Sequence, residues 1–580
     1  KRINDEDFKG RFKASEERKL ARQSQVEELV GYTKRGKRVV KLRKLIDGVC
    51  GRAHHAGPYG SLALGEGRDR SIATAPAEVR KILLDKFNTW MGHGRQSWYT
   101  GLEIGNDSAE GLYLRRRMAE GMSEDELVGF MARAQIPIKF KPVVRRLSRK
   151  PGANTGLYCN VKNSIGKREW KSFWGQVKKG TAPPGRSGVT TDMVFTLRGK
   201  ELDVIRRLVN LVLVEGLSVY KHWKQRIITP VSKEEGNFSV DRARPLVLLE
   251  VLQKAFWAIM TARMTNVWEQ RGLLNDMQFG FRKGRSVTAP GLMATLIAEE
   301  WVKEKQPLYV FSQDISKAYD TVSRHIGKEI AWRRLGVPDD FIQMLLDMDR
   351  GNETVVLTAY GCTDEILGTE KGIFEYERGF CQGASESPSG WVALYDIYLD
   401  LQAEYAKDDG IDLVTEQGEV MNYYGSVFAD DALWAARSRE GIEVRANVSA
   451  LFLEFMDIKF NEDKSAVMGL EWQDGKPVDL KGERWQPKVF RTDEVFDGGE
   501  LRILRGTDDM AECQKSFFDN GTHIRDSDGL AIPVHGLYRG VKWLGFQWSP
   551  MLDKSTLKQD MYEMIMEAEG QLRNTPVSAE

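Results

Sequence analysis

At 580 residues, with 41% hydrophobic and 29% charged content, the chain has the balance of a globular protein but exceeds what one hydrophobic core sustains, so two to four lobes are expected and fibrous or wholly disordered classes are excluded. The net charge is only +2, yet residues 1–150 carry 32 Lys and Arg against 19 Asp and Glu, a balance of +13, which leaves 53 against 64, or −11, for residues 151–580. A basic quarter ahead of an acidic remainder points to an arm for phosphate backbones.

Residues 1–30 have helical spacing with many charged pairs. Lys34-Arg-Gly-Lys-Arg38 with Lys41–Lys44 is a dense basic stretch open to three readings: template RNA binding, a nuclear address, or a solvated face. Gly57–Arg70 reads as loop. Helical patterns resume over Ala77–Met91 and Ser123–Ala134, where Ser123 and Glu126 have capping-box spacing. A second basic cluster, Lys139–Lys150, precedes Pro151-Gly152 and places a lobe boundary near 150–165. No apolar run approaches the roughly 20 residues of a membrane span, and no apolar N-terminal signal is seen, so no membrane partner is expected. The five cysteines, Cys50, Cys159, Cys362, Cys381 and Cys513, are scattered and include no CxxC pair, which predicts reduced thiols and an intracellular setting, nucleus or cytoplasm. His54-His55 lacks further ligands at metal spacing and reads as polar loop.

Gly185-Arg-Ser-Gly188 and Thr191-Asp192-Met193 are followed by a hairpin pattern: Trp223 through Pro230-Val-Ser-Lys233, then Arg244–Leu249 and a helix bearing Lys254 and Phe256. Gln278-Phe-Gly-Phe-Arg-Lys-Gly-Arg-Ser286 sets three cations, Arg282, Lys283 and Arg285, among glycines that permit tight turns. The residues before Asp314 read as a buried strand whose end brings a carboxylate to solvent, at the head of Asp314-Ile-Ser-Lys-Ala-Tyr-Asp320. Gly379-Phe-Cys-Gln-Gly383 and Ser387-Pro388 precede an apolar helix from Trp391. Phe428-Ala-Asp-Asp431 lies between two strand-like flanks and reads as a hairpin tip. Neighbouring strand residues face opposite ways, so adjacent aspartates address one site only where the backbone turns.

Three carboxylates brought together repel, and one takes up a proton unless cations intervene. Phosphoryl transfer uses two hard cations about 4 Å apart, which assigns two Mg²⁺, with Mn²⁺ as a substitute, to Asp314 and Asp430 with Asp431 assisting. Further on, Phe460-Asn461 with Lys464, a polar stretch from Leu470 to Pro533, Val541-Lys-Trp-Leu-Gly545 and a helical pattern from Leu557 complete the sequence.

Taken in order from Gly185 to Pro550, these motifs resemble the reverse transcriptases of non-LTR retrotransposons and group II introns. The resemblance implies an α+β right-hand polymerase with an antiparallel palm sheet, helical fingers, a partial helical thumb and an N-terminal extension. Its implied divisions are a nucleic-acid-binding extension over 1–165, fingers over 166–313, palm over 314–475, an insertion over 476–533, the primer-grip end of the palm over 534–550 and the start of a thumb over 551–580. Asp314, Asp430 and Asp431 would be catalytic, with the backbone of Ile315 joining the metal ligands. Lys233 and Arg244 would hold the triphosphate, Tyr319 would be the steric gate against a ribose 2′-hydroxyl, Gln382 and Gly383 the nucleotide floor, and Lys464 the cation near pyrophosphate. Arg282, Lys283 and Arg285 would meet template phosphate, and Trp543, Leu544 and Gly545 would form the primer grip. Asp320 reads as structural.

The implied activity is RNA-directed DNA synthesis, with an RNA template, a DNA or RNA primer and dNTPs as partners, in a retrotransposon enzyme or a domesticated relative. One alternative, an RNA-dependent RNA polymerase, shares the aspartates but has Ser-Gly with downstream Thr and Asn where this chain has Gln382-Gly383 and Ser387-Pro388. The other, an inactive RNA-binding scaffold on the same fold, is expected to have lost metal ligands, whereas all three carboxylates are present here.

Overall fold

The computed structural model describes residues between 62 and 551, except 65–70, 92–116, 119, 178–183, 216–219, 234–238, 241–242, 365–371, 376–377, 407, 415–417, 419, 462–463, 480–488, 490–491, 502–531, 537–540 and 545. All of them belong to one compact unit, residues 58–558. The basic stretch at 34–44 and the helical pattern from Leu557 lie outside the described residues.

The N-terminal part begins with a short hairpin, Leu62–Leu64 paired with Ser71–Ala73, where the glycine-rich sequence suggested only loop. Next come α1 (Pro76–Met91) and α2 (Glu124–Arg133). Ser123 caps α2 in the expected capping box: its hydroxyl accepts from the Glu126 amide while the Glu126 carboxylate accepts from the Ser123 amide. Strands β1 (Gln225–Ser232) and β2 (Ala243–Leu248) form an antiparallel pair. They are followed by helices α3 (Val251–Gln270) and α4 (Thr288–Glu304).

The central strand β3 (Leu308–Gln313) is buried along its whole length. Strand β4 (Glu353–Thr358) joins the first sheet by pairing parallel to β1. Helix α5 (Ser387–Ala406) is apolar nearly all round, which fits a helix enclosed on every side. Strands β5 (Gly425–Phe428) and β6 (Asp431–Ala436), helix α6 (Arg439–Phe455), and strands β7 (Ala466–Gln473) and β8 (Lys476–Asp479) complete a five-stranded antiparallel sheet in the order β5-β6-β3-β7-β8. Helices α5 and α6 pack together, and α6 lies on β6 and β3. A last pair, β9 (Val541–Trp543) and β10 (Phe546–Trp548), is antiparallel. Helices packed against a five-stranded antiparallel sheet and a second, mixed sheet make the fold α+β.

Two apolar clusters divide the work. The larger runs from α2 through α3, the five-stranded sheet, α5 and α6. The smaller places Leu83, Phe87 and Trp90 of α1 against Ile228, Val247 and Val356 of the β1-β2-β4 sheet, so α1 supports that sheet. The boundary expected near 150–165 does not separate two bodies, because Phe140, Val144, Tyr158 and Ile165 all join the larger core.

The cluster Lys139–Lys150, part of the basic N-terminal quarter, is largely neutralised by ion pairs within the protein. Lys139 pairs with Glu454 at 2.8 Å, Arg145 with Glu124 at 3.0 Å, and Arg146 with Glu404 at 2.6 Å. Lys150 pairs with Asp396 at 2.9 Å and Asp400 at 3.0 Å, and the buried Arg334 reaches the same two carboxylates. Acidic residues scattered over 120–500 were thus matched to these cations in space, which linear charge counting cannot register. Because removing one member of a buried ionic group strands the rest, Arg334→Ala is expected to cost about 3 kcal/mol or more in urea unfolding. Arg146→Ala, a pair at the rim, should cost about 1 kcal/mol or less.

Candidate active site

The hairpin β5-β6 closes through a two-residue turn: Phe428 faces Asp431, leaving Ala429 and Asp430 at the tip. Ala429 sits at φ +60°, a left-handed conformation that L-residues adopt at a cost. Strand β6 pairs with β3 so that Ala432 faces Gln313. Carried one residue further, this register sets Asp431 opposite Asp314, and the turn adds Asp430.

Electrostatics ties the three together. Burial raises the pKa of Asp314, opposed by the charge of Lys464, a hydrogen bond from Asn461 Nδ2 at 2.6 Å and the charge of Lys233. Burial and then the Asp314 charge raise Asp430, opposed by Lys233 and Arg244. Asp431 is pushed up to about 7 by burial, then by Asp430 and Asp314. Among the described residues no three His, Cys, Asp or Glu side chains are already gathered as a cation-binding set. The trio therefore interacts through its field.

The cations expected near this site lie where they act on it. Lys233 is exposed just beyond β1, and Arg244 is exposed on β2 opposite Val231. The charge of Lys464 also lowers Asp431. Ile315 is buried in a short antiparallel pairing with Phe460, which brings Asn461 beside Asp314; the Asn461 amide donates to the Asp314 carbonyl at 3.0 Å.

Tyr319 stacks on Trp391 with centroids 4.9 Å apart and meets Phe281 and Phe380 edge-on, each at 6.3 Å. Its hydroxyl is buried and has no hydrogen-bond partner among the described residues. Burial and then the Asp430 charge hold its pKa well above the usual phenol range. Asp320 is buried, is pushed up to about 6 chiefly by desolvation, and accepts a hydrogen bond from Gln382 Nε2 at 2.7 Å. Asp320 thus orients the Gln382 side chain.

The Gln382 carbonyl also accepts from the Val247 amide at 2.7 Å, linking this loop to β2. Gly383, at φ +103°, leaves only 3.1 Å between an added Cβ and the Val247 carbonyl, so the loop follows β2 closely. Beneath lies a buried ionic cluster in which Asp349 takes Lys328 at 2.7 Å and Arg226 at 2.8 Å. Arg226 in turn donates to Cys381 Sγ at 3.4 Å, and Glu386 lies 3.5 Å from Lys328.

The Gln278–Ser286 segment corrects one expectation and qualifies another. Arg282 does not face a template: it is buried, forks onto both oxygens of Glu269 at 2.8 Å, and donates to the Asn275 carbonyl at 2.7 Å. Arg285 is half-buried and pairs with Asp276 at 2.5 Å. Lys283 is exposed. Phe281, at φ +58° and half exposed, is a site-facing aromatic that the sequence did not single out. At the C-terminal end Trp543 is buried, Leu544 is half-buried with φ +52°, and Gly545 lies outside the described residues.

Sequence reasoning assigned no role to Asn461, to Asp320 as a partner of Gln382, or to Gln278. Each acts through a contact between segments far apart in the chain. Asn461 and Gln278 were visible only as members of their motifs.

The family model described as reverse transcriptase (RNA-dependent DNA polymerase) matches residues 231–547, from the end of β1 into β10. The retrovirus-related Pol polyprotein from type-2 retrotransposable element R2DM of Drosophila melanogaster is 23% identical over 362 residues, covering 59% of this chain and 31% of that protein. The chain thus spans about a third of the length of that relative. With more than half of its residues matched, the chain belongs to the reverse transcriptase (RNA-dependent DNA polymerase) family.

Proposed function

We propose that the chain is an RNA-directed DNA polymerase that extends a primer 3′-hydroxyl with dNTPs along an RNA template. The observation that carries this reading is the register that sets Asp431 opposite Asp314, with Asp430 at the adjoining turn, at the end of the five-stranded sheet, and Lys233, Arg244 and Lys464 acting on them. The sheet with α5 and α6 would be the palm. The β1-β2 hairpin with α3 and α4 would be the fingers, and β9-β10 the primer-grip end. A retrotransposon origin fits the Pol relative. The same site would serve a domesticated enzyme, in nucleus or cytoplasm.

Carboxylates whose pKa burial raises, with neighbouring carboxylate charge adding to it at Asp430 and Asp431, fit a site for divalent cations, Mg²⁺ or Mn²⁺, on Asp314 and Asp430 with Asp431 and the Ile315 carbonyl assisting. Such ions would supply activation of the attacking hydroxyl and stabilisation of the leaving oxygen. The chain's own residues do the positioning. Lys233 and Arg244 would grip the β and γ phosphates, Arg244 by its bidentate fork. Lys464 would face the charge that develops on pyrophosphate. The Asp320–Gln382 bond would hold the floor beneath the base, and the Tyr319 ring, fixed by Trp391, would occupy the space of a 2′-hydroxyl. Orientation and charge then supply nearly all the rate.

Three outcomes are expected. Primer extension on RNA in Mg²⁺ should use dNTPs and fall at least 1,000-fold in Asp430→Asn, on the order of losing preorganised charge stabilisation; preferential use of NTPs by the wild type would favour an RNA polymerase instead. Tyr319→Ala should raise NTP incorporation relative to dNTP on the order of 100-fold, and unchanged discrimination in a folded variant would remove Tyr319 as the gate. The third concerns pH. A proton held on Asp431 to about pH 7 competes with the cation, so the Mg²⁺ concentration for half-maximal rate should rise about tenfold from pH 8 to pH 6. A pH-independent Mg²⁺ requirement would contradict this.

A further inference from the structure

Adjacent aspartates converge on one site only if the backbone between the strands holds a particular turn, and here that turn requires Ala429 at φ +60°. Something outside the hairpin stabilises it. Gln278 is 1% exposed, and its Oε1 accepts from the Ala429 amide at 3.1 Å and from the Gly280 amide at 2.8 Å. Its Nε2 reaches the Ala429 carbonyl at 3.3 Å. One side-chain amide therefore engages both backbone groups of the left-handed residue.

The surrounding segment keeps Gln278 in place. The Val427 amide donates to the Met277 carbonyl at 2.9 Å and the Phe279 amide to the Val427 carbonyl at 2.7 Å, so residues 277–279 run as a parallel extra edge beside β5. Gly280 passes so close that an added Cβ would lie 2.2 Å from the Ala429 nitrogen. Arg282, buried on Glu269, donates back to the Gln278 carbonyl at 3.3 Å. The Tyr395 hydroxyl also donates to the Asp430 carbonyl at 3.4 Å.

We propose that Gln278 is a positioning residue for the reaction: by clamping the Ala429 backbone it sets the directions of Asp430 and Asp431, and with them the affinity and geometry of the cation site. The inference rests on the polymerase reading for its catalytic consequence, but the clamp itself does not. Being enclosed, Gln278 touches neither template nor nucleotide. Its loss should therefore appear in metal binding and turnover and leave substrate affinity alone.

The test compares wild type, Gln278→Met, Gln278→Glu and Asp430→Asn in two measurements: Mn²⁺ titration by electron paramagnetic resonance with primer–template bound, and steady-state primer extension in Mg²⁺. Met fills the space without a donor or acceptor; Glu retains the acceptor for the Ala429 amide. Gln278→Met is expected to bind Mn²⁺ about five- to tenfold more weakly and to lose on the order of 100-fold in kcat, with dNTP KM and primer–template Kd changed less than about threefold. Replacing Mg²⁺ by Mn²⁺, which tolerates less regular coordination, should recover part of the rate. Gln278→Glu should lie between Met and wild type. Wild-type metal affinity and kcat in both variants would overturn the inference, as would a loss confined to primer–template Kd. A wild type that binds Mn²⁺ through Asp430 without synthesis would reject the polymerase reading, while the metal titration would still decide the role of Gln278.

Discussion

Burial of three neighbouring carboxylates at one end of a sheet, where their charges also oppose one another, is the constraint on which the rest of this structure depends. Asp314, Asp430 and Asp431 each carry a raised pKa, and for each the first cause is burial at the end of the five-stranded sheet. A sheet whose central strand is enclosed along its length can hold such groups only at its open end, where backbone turns replace ladder pairing. The fold provides this arrangement through register: Ala432 faces Gln313, and the aspartates Asp431 and Asp314 follow directly beyond that pair.

Around the trio, positive charge and hydrogen bonds are arranged to tolerate the repulsion without cancelling it. Lys233 and Arg244 arrive from a separate sheet that α1 supports from behind, and Lys464 follows the segment that also supplies Asn461. The floor loop is tied to that sheet through Gln382 and rests on the Arg226–Asp349–Lys328 cluster. Charges buried this deeply contribute little net stability, but they accept few alternative arrangements. Their placement between the β1-β2-β4 sheet and the floor makes the relative position of cations and carboxylates hard to change.

Much of the site was legible in the sequence because its signals are local. The strand ending at Asp314, the hairpin around Ala429-Asp430, the capping box at Ser123 and the helix after Ser387-Pro388 each follow from short-range pattern. What the sequence could not display is pairing across long intervals. Arg282 carries the same charge whether it meets phosphate or Glu269, and only the fold reveals that it is enclosed. Likewise the basic run at 139–150 finds its acids at 124, 396, 400, 404 and 454, pairings that a count of charge along the chain does not register. Gln278 looks like any motif glutamine until its amide is seen on both sides of Ala429.

The central claim, that this carboxylate trio is a cation site built for phosphoryl transfer, is tested most directly by anomalous diffraction from crystals grown with Mn²⁺, primer–template and an incoming deoxynucleotide. The account predicts two anomalous peaks roughly 4 Å apart, each within about 2.3 Å of an oxygen of Asp314 or Asp430. Nucleotide bound at the site with no anomalous density beside these aspartates would contradict it.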